Sequence, residues 1–523
     1  MRLPRLCALL ALVACSGDAS RLPEAAPTPP TDGDPEAGRR IFLEGVLSSG
    51  KAVQATVLGD VSMTGEQVTC RNCHGRSGMG TEERGNRSPP ITGELLLTDD
   101  RLGLRPAYTP ESLYLAVTGG LGADGSTLDP LMPRYALSKG DFADLFAYLD
   151  TLGTRAQPGI DRENLHLATV VSVDLPEARR DAYLDVLQAF VDSINAQSRN
   201  DRERAEARRQ KGRAYDPYRT WTLHVWEVDG DPSEWPEQLD DHLEAHPVFA
   251  MVGGLAESDW SPVHAFCDQQ QMPCLFPSTD LAPDPGASFH SLYFSGGLET
   301  EAAVMAHAIS KGGGDGEVVQ LVDLDNPLAR AGAAALAGRW TGGTRTLRTV
   351  HLGDDRELAA VLTQATAPVV VWAGPERLQR VAPTPTGPAI YLSDTVLQGG
   401  ADRLLGGFVD RGQLVHRTRL ATERDPALKR FAAWAKGRQV DVTHARLQAE
   451  GWFAMMALRK AMKHVDKYPQ RDFVLDSLDH AAGLTPYLPI YPKGSFGPGQ
   501  RLVSKGAWLV PLADPSSPGW IVP

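Results

Sequence analysis

Two cysteines three positions apart, with a histidine directly after the second, constrain this 523-residue chain more than any other segment: Thr69-Cys70-Arg71-Asn72-Cys73-His74-Gly75. Each thiol of such a pair can add to one vinyl group of the same porphyrin, and the adjoining imidazole is then held under the iron as proximal ligand. The spacing therefore reads as a covalent c-type haem site, one haem c per chain. A CxxC can also be half of a zinc site or a redox dithiol. A zinc ribbon needs a second Cys or Cys/His pair at suitable spacing, and Cys267 and Cys274 do not supply one.

An iron held this way needs a second axial ligand and an apolar enclosure. The run Asp34-Pro35-Glu36-Ala37-Gly38-Arg39-Arg40-Ile41-Phe42 starts like a capped helix, with Pro35 in its first turn and Ile41 and Phe42 on the inner face. From Lys139 to Leu152, Phe142, Leu145, Phe146 and Leu149 repeat at the spacing of one helical stripe. Between the two lies Leu131-Met132-Pro133-Arg134-Tyr135, whose Met132 thioether is a neutral soft donor that favours ferrous iron. Met132 is far enough beyond His74 for the chain to pass round a ring edge. Met63 precedes the cysteines by too little, and Met79 would double back beside His74.

With these features in order, residues 34–153 resemble a monohaem class I cytochrome c. The resemblance implies a small all-α domain in which His74 and Met132 ligate the iron and single electrons pass at an exposed haem edge, between periplasmic donor and acceptor proteins. It also places a proline carbonyl on the proximal imidazole. Among Pro89, Pro90 and Ile91, Pro90 is the expected acceptor, a plain turn being the other reading.

Arg2 and Arg5 flank an apolar stretch, Leu6 to Ala14, too short to remain as a membrane span, so residues 1–15 read as a cleaved signal. Leu12-Val13-Ala14-Cys15 resembles the lipobox of bacterial lipoproteins, which implies acylation of Cys15 and a periplasmic protein held to a membrane only by its lipid. Residues 16–33 would be a flexible tether, and Ser16 after the cysteine favours the outer membrane. A net charge of −13 argues against a nucleic-acid partner. Of six cysteines, only Cys267 and Cys274 are left without a role, either as a disulfide or as two small buried residues.

Past a linker at 154–164 the texture changes to apolar runs alternating with helical patterns, as in a parallel α/β sheet. Candidate strands are Leu167 to Val173, Trp221 to Val225, Phe249 to Val252, Val318 to Val322, Val369 to Trp372 and Ala389 to Leu392. Tyr183, Leu187, Phe190, Val191 and Ile194 make one apolar helical face. The charged stretch Ser198 to Arg213 reads as a solvated helix extension or loop, and Trp221 as core. Within 165–523, Walker, GxGxxG, GxSxG and HExxH motifs are absent, so this part carries no recognisable catalytic signature.

The succession Leu167-Ala168-Thr169-Val170-Val171, Phe249-Ala250-Met251-Val252-Gly253-Gly254, Met272-Pro273-Cys274-Leu275-Phe276-Pro277-Ser278-Thr279 and Gly494-Ser495-Phe496-Gly497-Pro498-Gly499-Gln500-Arg501 resembles branched-chain amino-acid-type periplasmic binding proteins. The resemblance covers most of 165–523. It implies an α/β bilobal domain closing on a small ligand, held near Glu257, Ser258, Ser278, Thr279 and Asp280. Ser278 and Thr279 suit a carboxylate, but Glu257 and Asp280 would repel one in a poorly hydrated cleft, so a cation, a neutral polar molecule or no ligand fits as well. The leading expectation is a lipid-anchored periplasmic cytochrome whose second module takes a small polar ligand or docks a redox partner. The alternatives are a haem subunit of a periplasmic dehydrogenase system and a solute receptor of an import system.

Overall fold

The computed structural model describes residues 32–83, 86–99, 105–153, 156–209, 219–286, 288–341, 343–465 and 469–523. Cys15, its signal and nearly all of the tether lie outside these residues. The chain divides into two compact units between Thr154 and Arg155.

The first unit runs α1 (Pro35–Glu44), β1 (Gln54–Val57), β2 (Val61–Thr64), α2 (Arg71–His74), β3 (Thr81–Glu83), β4 (Asn86–Ser88), α3 (Gly93–Leu96), α4 (Pro110–Gly119), β5 (Arg134–Tyr135) and α5 (Lys139–Thr151). The Asp34 carboxylate caps α1 by accepting the Glu36 N–H at 2.9 Å, and Pro35 occupies the first turn. Helices α1 and α5 cross at Gly38, where a Cβ would lie 2.0 Å from the Asp144 carbonyl oxygen. Beside that crossing the Phe42 and Tyr148 rings meet with centroids 5.3 Å apart.

The unit is not all-α, contrary to expectation. β1 lies between β2 and β5, antiparallel to both, and β3 pairs with β4. The β1–β2 hairpin turns through Leu58 and Gly59 at φ 54° and 93°, and Thr56 and Val57 favour extended backbone. This small sheet anchors the segment that carries Met132, because β5 follows it directly.

The second unit consists of two lobes. The first has β6 (Asn164–Ser172), α6 (Glu177–Arg209), β7 (Thr220–Val228), α7 (Trp235–Ala245), β8 (Ala250–Val252), α8 (Ser261–Gln269), β9 (Cys274–Leu275) and β10 (Ser291–Leu292). The second has α9 (Leu298–Lys311), β11 (Gly316–Val322), α10 (Pro327–Gly338), β12 (Arg345–His351), α11 (Asp355–Gln364), β13 (Val369–Trp372), α12 (Pro375–Leu378), β14 (Ile390–Ser393), α13 (Asp394–Leu397), α14 (Gly407–Arg411) and β15 (Gly412–His416). Helices α15 (Pro426–Lys436), α16 (Ala445–Val465) and α17 (Arg471–Asp479) then return to the first lobe, where Phe431, Trp452 and Val474 join its core. β16 (Ala507–Pro511) and β17 (Gly519–Ile521) add antiparallel to the second lobe.

The strand orders are β7-β6-β8-β9-β10 and β12-β11-β13-β14-β15-β16-β17. Each parallel portion is thus second-first-third-fourth-fifth in chain order, a doubly wound sheet whose open crevice lies at the carboxyl ends of its strands. Apolar clusters cover both faces of each sheet. The chain passes between the lobes' cores three times, around 294–298, 420–428 and 503–507.

Residues 156–163, expected as linker, fold onto the first lobe: Ile160 bridges Leu165, and Gly159 accepts the His166 N–H at 2.7 Å. Trp221, Trp226, Trp235 and Trp260 are core side chains. Cys267 of α8 is disulfide-bonded to Cys274 of β9, with Cα atoms 6.2 Å apart. Among the described residues, no helix is long and apolar enough to cross a membrane.

Candidate functional site

In the first unit the short helix α2 presents Cys70, Cys73 and His74 on one turn, and neither cysteine is in a disulfide. Burial pushes the Cys70 thiol up to about 11. His74 is buried, and its Nδ1 lies 2.8 Å from the Pro89 carbonyl oxygen. The expected partner, Pro90, is displaced by one residue: β4 ends at Ser88, and the carbonyl that turns toward the imidazole is the first one beyond it. A carbonyl can only accept, so Nδ1 donates and the Nε2 lone pair is available to a metal.

Met132 packs, half-buried, against the same apolar cluster that contains Cys70, Leu113, Tyr135 and Phe142. Two side chains fix its loop. The Arg134 guanidinium donates to the carbonyls of Met132 and of Leu128, the latter at 2.8 Å. The buried Tyr135 hydroxyl donates to the Val68 carbonyl at 2.8 Å, tying this loop to the chain just before Cys70. Sequence reasoning missed both residues as site residues, although they follow Met132 directly.

In the second unit a cleft of about 760 Å³ opens between the lobes. The first lobe contributes Arg179 from α6, Ala256 and Glu257 after β8, Ser278, Thr279 and Asp280 after β9, and Arg446, Glu450 and Tyr491. The second contributes Asp325 and Asn326 at the start of α10, and Asp394, Thr395 and Gln398 around α13. These are the carboxyl ends of the strands, where doubly wound sheets place ligands. Ser258, expected in the site, does not line the cleft; it lies in the turn where Asp259 accepts the Ser261 N–H at 3.0 Å to start α8.

Gly253 and Gly254 let the chain leave β8 toward the cleft. At φ 65°, a Cβ on Gly253 would lie 2.4 Å from the Tyr183 hydroxyl, which accepts the Gly254 N–H at 3.1 Å. Thr279 Oγ1 accepts the Leu281 N–H at 3.1 Å, shaping the loop that carries Asp280.

The repulsion expected of the two acids is offset. Glu257 is paired with Arg179, and Asp280 with Arg417. Arg417 also donates to Ser295 Oγ at 3.1 Å in the first crossing, to Thr395 Oγ1 at 3.2 Å in the second lobe and to the Tyr491 hydroxyl at 3.4 Å in the first. Tyr491 in turn donates to Glu450 at 2.9 Å, and burial raises the pKa of that carboxyl. Behind Arg417, fully buried Glu301 accepts from Ser393 and, at 2.6 Å, from Thr395. Burial holds Glu301 at a pKa of about 8. The cleft is therefore lined with paired charges and hydroxyls, suited to a small polar or zwitterionic molecule.

The chain is similar in course, over part of its length, to several solved structures. A leucine-binding protein from Thermotoga maritima is 12% identical, the alignment covering 68% of this chain and 97% of that one, with a TM-score of 0.44. An isoleucine-bound branched-chain amino acid transporter substrate-binding protein from Streptococcus pneumoniae is 13% identical, with 69% and 100% covered and a TM-score of 0.43. An ABC transporter substrate-binding protein from Aeropyrum pernix is 11% identical, with 69% and 97% covered and a TM-score of 0.47. No protein-family model matches the sequence, and no curated protein matches it. The fold assignment rests on the topology of the two sheets described above.

Proposed function

We propose that the second unit is a receptor for a small polar solute, which closes its lobes on the ligand, and that the first unit carries one haem c bound by Cys70, Cys73, His74 and Met132. The observation that carries the receptor reading is the lining of the cleft by both lobes, with Arg417 contacting residues on each side of it. A ligand spanning the cleft touches both walls only when the lobes are together, so binding favours closure. Solute reception takes precedence over an electron-carrier reading of the whole chain because the larger unit holds a cleft lined by both of its lobes.

The first unit's residues fit the porphyrin. The two cysteines are reduced on one helical turn, the Pro89 carbonyl sets the tautomer that leaves Nε2 as donor, and Met132 packs on the Cys70 cluster. The haem, once bound, would supply a one-electron ferric/ferrous couple. The Pro89 bond orients the His74 ring, Arg134 and Tyr135 hold the Met132 loop, and the surrounding aliphatic side chains exclude water. Electron donors and acceptors in the periplasm would meet this unit, with the chain tethered at Cys15.

Two measurements test the two halves separately. Acid–acetone extraction should leave the pigment on the polypeptide, and Cys70→Ser with Cys73→Ser should abolish that retention; a colourless wild-type chain overturns the haem assignment. Calorimetric screening of amino acids, small organic acids and amines should give a ligand whose binding is lost in Arg417→Met and retained in the double serine variant. A screen in which no such compound binds overturns the receptor reading.

A further inference from the structure

Three histidine rings gather in the first lobe, outside the residues that line the cleft. His166 is the third residue of β6 and His224 the fifth of β7, and the parallel register opposes Ala168 to His224 and Thr222 to His166. The two histidines are therefore diagonal neighbours on one face of the sheet, His166 near the amino end of β6 and His224 at the middle of β7. His166 Nδ1 lies 3.0 Å from His224 Nε2. The exposed ring of His246, which follows α7, stacks on His224 with centroids 4.6 Å apart and planes inclined by 29°. A fourth, His242, is committed elsewhere, with Nε2 3.0 Å from the Glu227 carbonyl oxygen and its ring stacked on Trp226.

We propose that His166 and His224 form a chelating pair for a divalent transition-metal ion, Cu²⁺ foremost and Ni²⁺ next. Two metal–imidazole bonds of about 2.0–2.1 Å at a right angle place their nitrogen atoms about 2.9 Å apart, whereas a tetrahedral angle places them about 3.3 Å apart. The observed 3.0 Å separation matches cis positions of a square-planar or tetragonal ion, the geometry of Cu²⁺ and Ni²⁺.

The metal takes the place of the hydrogen bond between the rings. Whichever nitrogen carries that proton passes it to the other nitrogen of its own ring, so both imidazoles stay neutral and no proton leaves. Among the described residues no group of three His, Cys, Asp or Glu side chains converges on one point, so water completes the coordination. His166 and His224 are only half-buried, which leaves that water room to enter.

The test uses the full haem-bearing chain, titrated calorimetrically with CuSO₄ and NiCl₂ in a non-chelating buffer, with electron paramagnetic resonance of the copper adduct. One equivalent of Cu²⁺ should bind, with superhyperfine structure from two nitrogen ligands. His166→Ala and His224→Ala should each weaken binding at least about tenfold, since each leaves a single imidazole. His246→Ala should leave the two-nitrogen signature in place. Far-ultraviolet circular dichroism of each variant checks that the fold is kept. Copper binding unchanged by His166→Ala and His224→Ala, or a signal without two nitrogen ligands in the wild type, overturns the proposal.

Discussion

Replacing Glu301 by Gln should change how the stability of the bilobal unit depends on pH. Glu301 is fully buried in the first turn of α9, just past the first crossing, and accepts from Ser393 and Thr395. Burial is the main cause of its raised pKa, about 8 against 4.5 for an unperturbed glutamate; the two hydroxyl bonds oppose it, and the Asp394 charge adds to it. The folded state thus keeps a proton that the unfolded chain releases above about pH 4.5. Because the folded state binds more protons, unfolding free energy falls as pH rises. The contribution is fully present below the unfolded value and is lost progressively until pH passes about 8. At about 1.4 kcal/mol per pH unit over roughly 3.5 units, the loss amounts to about 5 kcal/mol.

A glutamine has no such proton to lose. The Ser393 and Thr395 hydroxyls can reverse to accept from its amide, so E301Q should cost on the order of 1 kcal/mol at pH 5. Above pH 8 the variant should be the more stable protein by several kcal/mol. Urea unfolding followed by tryptophan fluorescence reads this directly, because all ten tryptophans lie between Trp221 and Trp520, within the second unit. The difference between wild type and variant across pH 5 to 9 isolates the single carboxyl from every other titration. Parallel stability curves for the two proteins over that range would refute the reasoning.

The buried pair of Arg501 and Asp479, with both carboxylate oxygens 2.8 Å from one guanidinium nitrogen, predicts that Arg501→Met costs about 3–5 kcal/mol in the same assay. Adding Asp479→Asn should recover part of that loss, because it removes the stranded charge. Gly38→Val should separate α1 from α5, since its Cβ starts 2.0 Å from the Asp144 carbonyl oxygen. Amide exchange in those two helices should accelerate about tenfold to a hundredfold, as for an overpacking cost of about 1–3 kcal/mol. Reducing the Cys267–Cys274 disulfide, whose cysteines are seven positions apart, should lower the urea stability of the second unit by about 2–3 kcal/mol. An unchanged midpoint in dithiothreitol would show that the unfolded state gains little from opening this loop.

Most of the strands visible in the sequence are buried on both faces; β7, a partly exposed edge strand, is the exception. β6, β11, β13 and β14 read as continuous apolar runs because helices cover both sides of a parallel sheet. β12 escaped notice because it is an edge strand with exposed charges, Arg345-Thr346-Leu347-Arg348-Thr349-Val350-His351. β9 and β10 have two residues each and carry no periodicity to detect. In the first unit α1 and α5 followed from capping and stripe spacing, whereas α4 went unread and β1, β2 and β5 are too short to announce themselves. The acceptor for His74 was misplaced by one residue, because a carbonyl's direction depends on backbone torsion rather than residue type.

The charge of the cleft shows most plainly what a linear reading lacks. Glu257 and Asp280 do line the cleft, and the expectation that they repel an anion followed from treating them alone. Their arginines come from other elements: Arg179 from the first turn of α6, and Arg417 from the chain just beyond β15. No local pattern marks either residue, since an arginine after a helix start or a strand end is ordinary surface chemistry. What gives Arg417 its role is that crossing and both lobes converge on it, through Ser295, Thr395, Asp280 and Tyr491. A guanidinium with five donors in a fixed plane can satisfy such partners at once, whereas a lysine at this position would satisfy fewer and leave the Asp280 carboxylate less well held. On the proposed receptor reading, lobe closure and ligand charge would be coupled through one side chain: any motion that separates the lobes would break some of its bonds, and any ligand that displaces Asp280 from it would alter the balance between open and closed forms.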